Sequence, residues 1–254
     1  MKFALVENKK REAEKGLIGL CPMCGQTVKP KCGQYKAHHW AHLSCKHCDS
    51  WWENETEWHR HWKDLFPIDW QEVVSYDEKI GEKHIADIKT NENMVIEFQH
   101  SNISEVERIS REQFYKNMVW IVDGTRRKYD FKHFQDAFEY NEIWATGRNR
   151  DLYVLECPEK HLPKEWLNSN VPVLFDFKGL LAQKAEVYDN NPLREPLWIL
   201  LQFKGTNVKV LVCANRNKIV EMIQQGGFVF NYTEIANSVN QEINKRNRLW
   251  RYGY

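Results

Sequence analysis

Polar and apolar positions divide the chain into a short, cysteine-bearing start and a long succession of strand and helix patterns. Residues 70–76 alternate as a strand does, and Gly81 marks a turn before a second strand at 84–90. Asn91, Glu92 and Asn93 form another turn before a third strand at 94–99. A period of two places Ile85, Asp87 and Lys89 on one face of the second strand. It places Val95, Glu97 and Gln99 on one face of the third. Ser104 with Glu107 is a capping box opening a helix to about Asn117, and the apolar run 119–123 is a fourth, buried strand.

Upstream, residues 55–66 read as a helix ended by Pro67, with Asn54 as N-cap and Glu55 and Glu57 at the positive end of its dipole. Trp58, Trp62 and Leu65 form its core-facing stripe, and Glu57, His61 and Asp64 lie together on the flank. Such a flank is ordinarily just solvated. Downstream, a helix is expected at 131–143, strands at 151–157 and 171–177, and apolar strands at 197–203 and 208–213 joined by a turn at 204–207. Helices near 215–225 and 232–248 follow. The pattern leaves open whether this half extends the first sheet or forms its own lobe. The fold class is α/β (α+β): a mixed sheet flanked by helices, behind a small N-terminal module.

Composition is that of a globular protein, with 42% hydrophobic and 28% charged residues among 254. No apolar run approaches the ~20 residues of a membrane span, and no export signal is read at the start, so a cytoplasmic protein is expected. The net charge of +1 argues at first against a polyanionic partner. It is a cancellation. Residues 1–50 carry nine basic and four acidic groups, 51–100 five and twelve, and 201–254 eight and three, so two basic ends enclose an acidic middle.

Five of the seven cysteines fall between positions 21 and 48. Cys21, Cys24, Cys45 and Cys48 spell C-x2-C-x20-C-x2-C, two thiolate pairs able to close a tetrahedral shell around Zn²⁺. His39 and His42 lie on the return segment as alternatives to Cys45 or Cys48, and Cys32 is a spectator. With few apolar residues to bury, this module is expected to draw much of its folding free energy from the metal.

Two carboxylates on adjacent antiparallel strands, here Asp87 and Glu97, can converge on one divalent cation. Such a cation orients and ionises water and offsets charge growing on a phosphate. Oxygen ligands suit Mg²⁺ or Mn²⁺. Helix, three strands, helix, strand is the layout of the restriction-endonuclease-like PD-(D/E)XK core. The chain resembles, more narrowly, the competence protein CoiA-like family. The resemblance is carried by Cys21 to Gly25, the His39-Trp40-Ala41-His42 run, Glu57 to Lys63, His84 to Asp87, Ile96 to Ser104 and Val119 to Gly124.

The resemblance implies a metal-dependent nuclease behind a zinc ribbon, acting on DNA in uptake, recombination or phage defence, with recombination or uptake proteins as further partners. It makes Asp87 and Glu97 ligands of Mg²⁺ or Mn²⁺ and Glu57 the acid of the preceding helix. It includes His61 near the phosphate or metal. Gln99 stands where the wider pattern has lysine, so the missing cation falls to Lys89, the preferred choice, or to Lys63. His100 and Ser101 would lie near the cleft. Arg108, Arg111 and Tyr115 share a helical face that could meet the DNA backbone, and the end from Lys245 mixes cations with rings as nucleic-acid contacts do. A basic helix end balancing its own dipole explains that tail equally well. The expected divisions are 1–50 (zinc-ribbon-like), 51–145 (nuclease core) and 146–254 (C-terminal α/β extension). The alternative function is a catalytically inactive zinc-ribbon DNA-binding or adaptor protein.

Overall fold

The computed structural model describes residues 1–34, 37–43, 48–53, 55–78, 81–146, 151–179, 191–201 and 209–252, without the side chains of 247 and 249–252. Cys45, Asn54 and the turn at 204–207 lie outside the described residues, as do the last two positions of the basic tail.

The N-terminal module is a five-stranded sheet of β1 (Phe3–Val6), β2 (Lys9–Glu12), β3 (Gly19–Leu20), β4 (Thr27–Lys31) and β5 (His39–His42), in the order β2-β1-β3-β4-β5. Glu7 and Asn8 both take positive φ, 51° and 60°, which gives the two-residue β1–β2 turn the twist a hairpin needs. Its buried core is Ala4, Ala13, Cys21, Val28 and Trp40. One large side chain among five cannot supply much burial free energy, so the module depends on whatever else ties it together.

Helix α1 (Glu57–Lys63) comes next. It starts two residues later than the sequence pattern implies and is capped by Thr56, whose hydroxyl accepts from the His59 N–H while the His59 ring accepts from the Thr56 N–H. A histidine thus closes the capping box usually closed by Glu or Gln.

The main sheet has nine strands: β6 (Gln71–Asp77), β7 (Glu82–Lys89), β8 (Val95–Gln99), β9 (Met118–Asp123), β10 (Ile143–Ala145), β11 (Leu152–Leu155), β12 (Val173–Asp176), β13 (Leu197–Leu201) and β14 (Lys209–Ala214). Their order is β10-β11-β14-β13-β12-β9-β8-β7-β6. The pairs β8–β9 and β9–β12 are parallel and the others antiparallel. The second half of the chain therefore extends the same sheet, which settles the question that periodicity left open.

Helix α2 (Glu105–Tyr115) makes the crossover between β8 and β9, capped by Ser104 as its sequence predicts. Helices α3 (Asp130–Glu139), α4 (Pro158–His161), α5 (Arg216–Gln224) and α6 (Tyr232–Tyr252) complete the fold. Two apolar clusters cover the sheet. In one, Trp58 and Trp62 of α1 and Ile219 and Ile223 of α5 pack on Ile96, Phe98 and Ile121. In the other, Phe131, Phe134 and Ala137 of α3 pack with Trp120, Phe175 and Trp198. No helix among the described residues is long and apolar enough to cross a membrane.

Gly124, directly after β9, has to be glycine. A Cβ there would stand 2.4 Å from the buried Phe177 ring, itself stacked on Phe134 at 4.6 Å. Gly124→Ala should therefore destabilise the fold by about 1–3 kcal/mol through overpacking, seen as a lower urea midpoint with unchanged slope.

Candidate active site

The acidic site forms where β7 and β8 run side by side beneath the end of α1. The Asp87 carboxylate accepts from the Phe98 N–H at 3.0 Å, and Glu97 accepts from the Asp87 N–H at 3.2 Å. Each carboxylate thus leans over the other's strand, and the two acids converge. Glu97 is buried, and burial followed by the charge of Asp87 raises its pKa to about 8 against the opposing pull of Arg111. Two ionised carboxylates this close in low dielectric are unfavourable, and a divalent cation would reverse that balance. The donor set is two carboxylates with room for water, since the adjoining cavity of about 80 Å³ holds a few waters and no nucleoside.

Lys63, at the end of α1, supplies the cation nearest Asp87, with Nζ 2.9 Å from its Oδ1. The same ammonium lies 3.2 Å from both Glu55 and Glu72. Burial works against its charge, but Asp87, Glu55 and Glu72 together hold its pKa well above the ordinary lysine value. Lys89, the preferred choice from sequence, shares the Asp87 face but reaches only the Ser75 hydroxyl, at 3.4 Å. On a strand, a residue two positions away points parallel to its neighbour rather than towards it.

Gln99 is buried and donates to Glu53 Oε2 at 3.1 Å and to the Ser101 carbonyl at 3.2 Å. Glu53 in turn lies 2.9 Å from His59 Nε2. Because the Thr56 N–H donates to His59 Nδ1, the ring proton sits on Nε2, shared between Glu53 and the Phe98 carbonyl at 3.1 Å. Burial raises the Glu53 pKa, yet His59, Ser101 and Arg111 outweigh it and bring the value to about 2.

The helix residues named from the sequence pattern fall elsewhere. Glu57 and His61 are exposed on the outer side of α1 and do not line the cavity, whereas Glu53, Glu55 and His59 do. Trp58 and Trp62 face the core as expected, but the flank of that stripe turned to the cavity carries His59 and Lys63 instead of Glu57 and His61. Arg108, Arg111 and Tyr115 do share a face, but it turns inward. Arg108 is fully buried and donates to Glu112 at 2.7 Å, and Arg111 reaches Glu97 at 3.1 Å and the Trp51 carbonyl at 2.7 Å. The Tyr115 hydroxyl is buried too. These three side chains are therefore corrected from a DNA-facing surface to the interior, where Arg111 alone of the three lines the cavity. His100 sits at the cleft edge, its Nδ1 2.8 Å from buried Asp123.

Glu72 gave no signal in the sequence. It takes φ +47° inside β6, and its carboxylate accepts from the Lys2 N–H at 2.7 Å and the Phe3 N–H at 3.0 Å as well as from Lys63. Burial would raise its pKa, but Lys63 and these backbone donors bring it to about 2. The N-terminal module is thereby hydrogen-bonded to the residue that shares Lys63 with Asp87.

In that module Cys21, Cys24, His42 and Cys48 bring their ligand atoms within 4.8 Å of one another. They form the one group of three or more such donors among the described residues. Cys21 and Cys48 sulfurs are 3.6 Å apart, and Cys24 Sγ is 3.3 Å from His42 Nε2. Those edges are close to the roughly 3.6–3.8 Å of a tetrahedron with ~2.3 Å sulfur and ~2.0 Å nitrogen bonds. Burial and the neighbouring cysteines hold the Cys48 thiol well above its usual pKa, a crowding that a cation relieves. His42 occupies the fourth corner, one of the alternatives read from the sequence. His39 instead bonds the Ala37 carbonyl at 2.9 Å, and Cys32 stays outside the cluster.

The family model for the nuclease-like domain of competence protein CoiA matches residues 74–167. That segment is similar to the CoiA nuclease-like domain. It carries Asp87, Glu97, Gln99 and Arg111, while the Cys/His module, α1 and the strands from β12 onward lie outside the match. No curated protein and no solved structure matches the chain. The CoiA-like segment thus takes Lys63, Glu53 and His59 from sequence that precedes it.

Cys48→Ser should lower the tightly held metal content of purified protein, measured by elemental analysis, and leave the main sheet's circular dichroism in place. Full metal retention in this variant and in His42→Ala would remove the cluster as a metal site.

Proposed function

We propose that the protein is a nuclease hydrolysing DNA phosphodiester bonds with Mg²⁺ or Mn²⁺ at Asp87 and Glu97, and that Zn²⁺ fills the Cys/His cluster as a structural ion. The observation that carries this reading is the convergence of those two carboxylates beside the buried ammonium of Lys63. A bound divalent cation would supply a more acidic water and offset charge on the scissile phosphate. Asp87 and Glu97 hold that cation, and Lys63 takes the place of the strand lysine that Gln99 vacates. Its Nζ can donate to the attacking water or to a phosphate oxygen. Gln99, fixed by Glu53 and Ser101, presents an amide to the same wall. DNA uptake, recombination and phage defence remain the roles this chemistry serves.

The ion pairs Lys63–Asp87 and Arg111–Glu97 favour a second reading, a DNA-binding or adaptor protein whose acids are already neutralised by side chains. Cleavage of supercoiled, linear and single-stranded DNA with Mg²⁺ or Mn²⁺, with and without EDTA, separates the two. Asp87→Asn should abolish cutting, and Lys63→Met should reduce it about a hundredfold or more. Cutting that persists in Asp87→Asn refutes the first reading, and DNA binding with no cutting by the intact protein supports the second.

The site also has a pH signature. Glu97 would lose its proton near 4.5 when unfolded and near 8 in the metal-free fold. Between those values the native state binds more protons, so this group makes the metal-free fold less stable as pH rises from about 4.5 to about 8. Glu53 and Glu72, held near 2, act in the opposite sense and in a lower window, losing their contribution as pH falls from about 4.5 towards 2. Cation binding must expel the Glu97 proton, so Mn²⁺ affinity should rise up to about pH 8 and then level off. Calorimetric titration at about pH 6.5 and about pH 8.5 checks this, and equal affinities would contradict it.

A further inference from the structure

Three parallel strands, β8, β9 and β12, end on the same side of the sheet, next to the acidic cleft. The chain leaving β8 carries His100, Ser101 and Asn102, and the chain leaving β9 carries Thr125, Arg126 and Arg127. In open α/β sheets, the carboxyl ends of parallel strands are where ligands are received.

The charges at this edge are unevenly satisfied. Asp123 is buried and fully engaged, with one oxygen on His100 and the other on the Thr125 N–H at 2.8 Å and hydroxyl at 2.6 Å. Lys178, after β12, pairs with Glu195 at 2.7 Å, and Arg216 pairs with buried Asp176 at 2.5 Å. Arg127 is matched by Glu165 and by Asp130. Among the described residues Arg126 has no ion pair. Its guanidinium donates to Asn102 Oδ1, the same neutral oxygen that Arg127 approaches at 3.0 Å. Two guanidinium groups therefore meet at one uncharged acceptor. Partial burial, followed by the charge of Arg127, lowers the Arg126 pKa against the opposing pull of Asp130, Glu165 and Asp123.

The geometry points to Arg126, with Arg127 and Asn102 positioning it, as a backbone-phosphate contact for nucleic acid entering the cleft. An anionic oxygen can accept from both guanidinium groups in the fork geometry for which arginine is suited. The site lies at the strand ends that follow Glu97 and Gln99, whereas the inward-turned Arg108 and Arg111 cannot serve DNA. This inference rests on DNA being the substrate, but it concerns binding, and its test needs no cutting.

Binding of a fluorescein-labelled DNA duplex to the full chain, without divalent cations, is followed by anisotropy across a salt series. Arg126→Ala should weaken binding about tenfold at fixed salt, the size of one charge-assisted hydrogen bond. It should also reduce the slope of log K against log salt by about 0.9, the value for one phosphate contact. The loss should be the same for unrelated sequences, because phosphates carry no sequence information. Lys132→Gln, at an exposed lysine paired on α3, should leave both quantities unchanged. Circular dichroism establishes that Arg126→Ala is folded, and Arg126→Lys should recover part of the slope. An unchanged slope and affinity in folded Arg126→Ala overturns the inference even if the protein cuts DNA. Binding with the predicted loss but no cutting upholds it while the nuclease reading fails.

Discussion

Lys63 puts an ammonium ion where three carboxylates meet, almost out of reach of water. Its partners come from separate parts of the chain: Glu55 before α1, Glu72 in β6 and Asp87 in β7. An isolated buried charge is untenable, so helix, edge strand and site strand must all be in register for any of the four to be stable. Glu72 extends the dependence outwards, because its carboxylate also holds two backbone N–H groups at the start of β1. Glu72 thus ties the start of the N-terminal module to the ammonium that pairs with Asp87. Removing Lys63 would leave three acids facing each other, which is why its effect on chemistry and on folding cannot be independent.

Among the described residues, the second half of the chain lines none of the acidic cavity but braces the helix above it. Asp176, at the end of β12, accepts from the indole N–H groups of Trp58 and Trp62 at 2.9 and 3.0 Å and from Arg216. That carboxylate, far along the sequence, fixes α1 over the sheet and so fixes where Lys63 stands. The tryptophan stripe is therefore both apolar ballast and a pair of hydrogen-bond donors. Its spacing shows the first property, and nothing in the spacing shows the second.

The charge pattern changes meaning in the same way. The acidic stretch from 51 to 100 holds Glu53, Glu55, Glu72, Asp87 and Glu97, five groups around one small cavity. Lys63 and Arg111 offset part of that charge, while burial first and the charge of Asp87 second raise the Glu97 pKa. A cation-binding reading follows from the residue types, but which groups compete with the cation is visible only in the packed site.

The sequence alone determined the elements and the two strand acids. Alternation of period two put Asp87 and Glu97 on faces that can meet, Ser104 marked the start of α2, and the cysteine spacing announced a metal site. These are local rules, set by backbone geometry within a few residues. Only the tertiary structure decided the rest: that Lys63 rather than Lys89 lies against Asp87, the inward turn of Arg108 and Arg111, and the place of His42 in the Cys/His cluster. It also decided the roles of Glu72 and Asp176. Each of these depends on which side chain lies across a contact between segments tens of residues apart. Trp58 and Trp62 face the core as their spacing implies, but each residue turns the helix by about 100°, so the stripe has two flanks, and packing put His59 and Lys63 rather than Glu57 and His61 against the site.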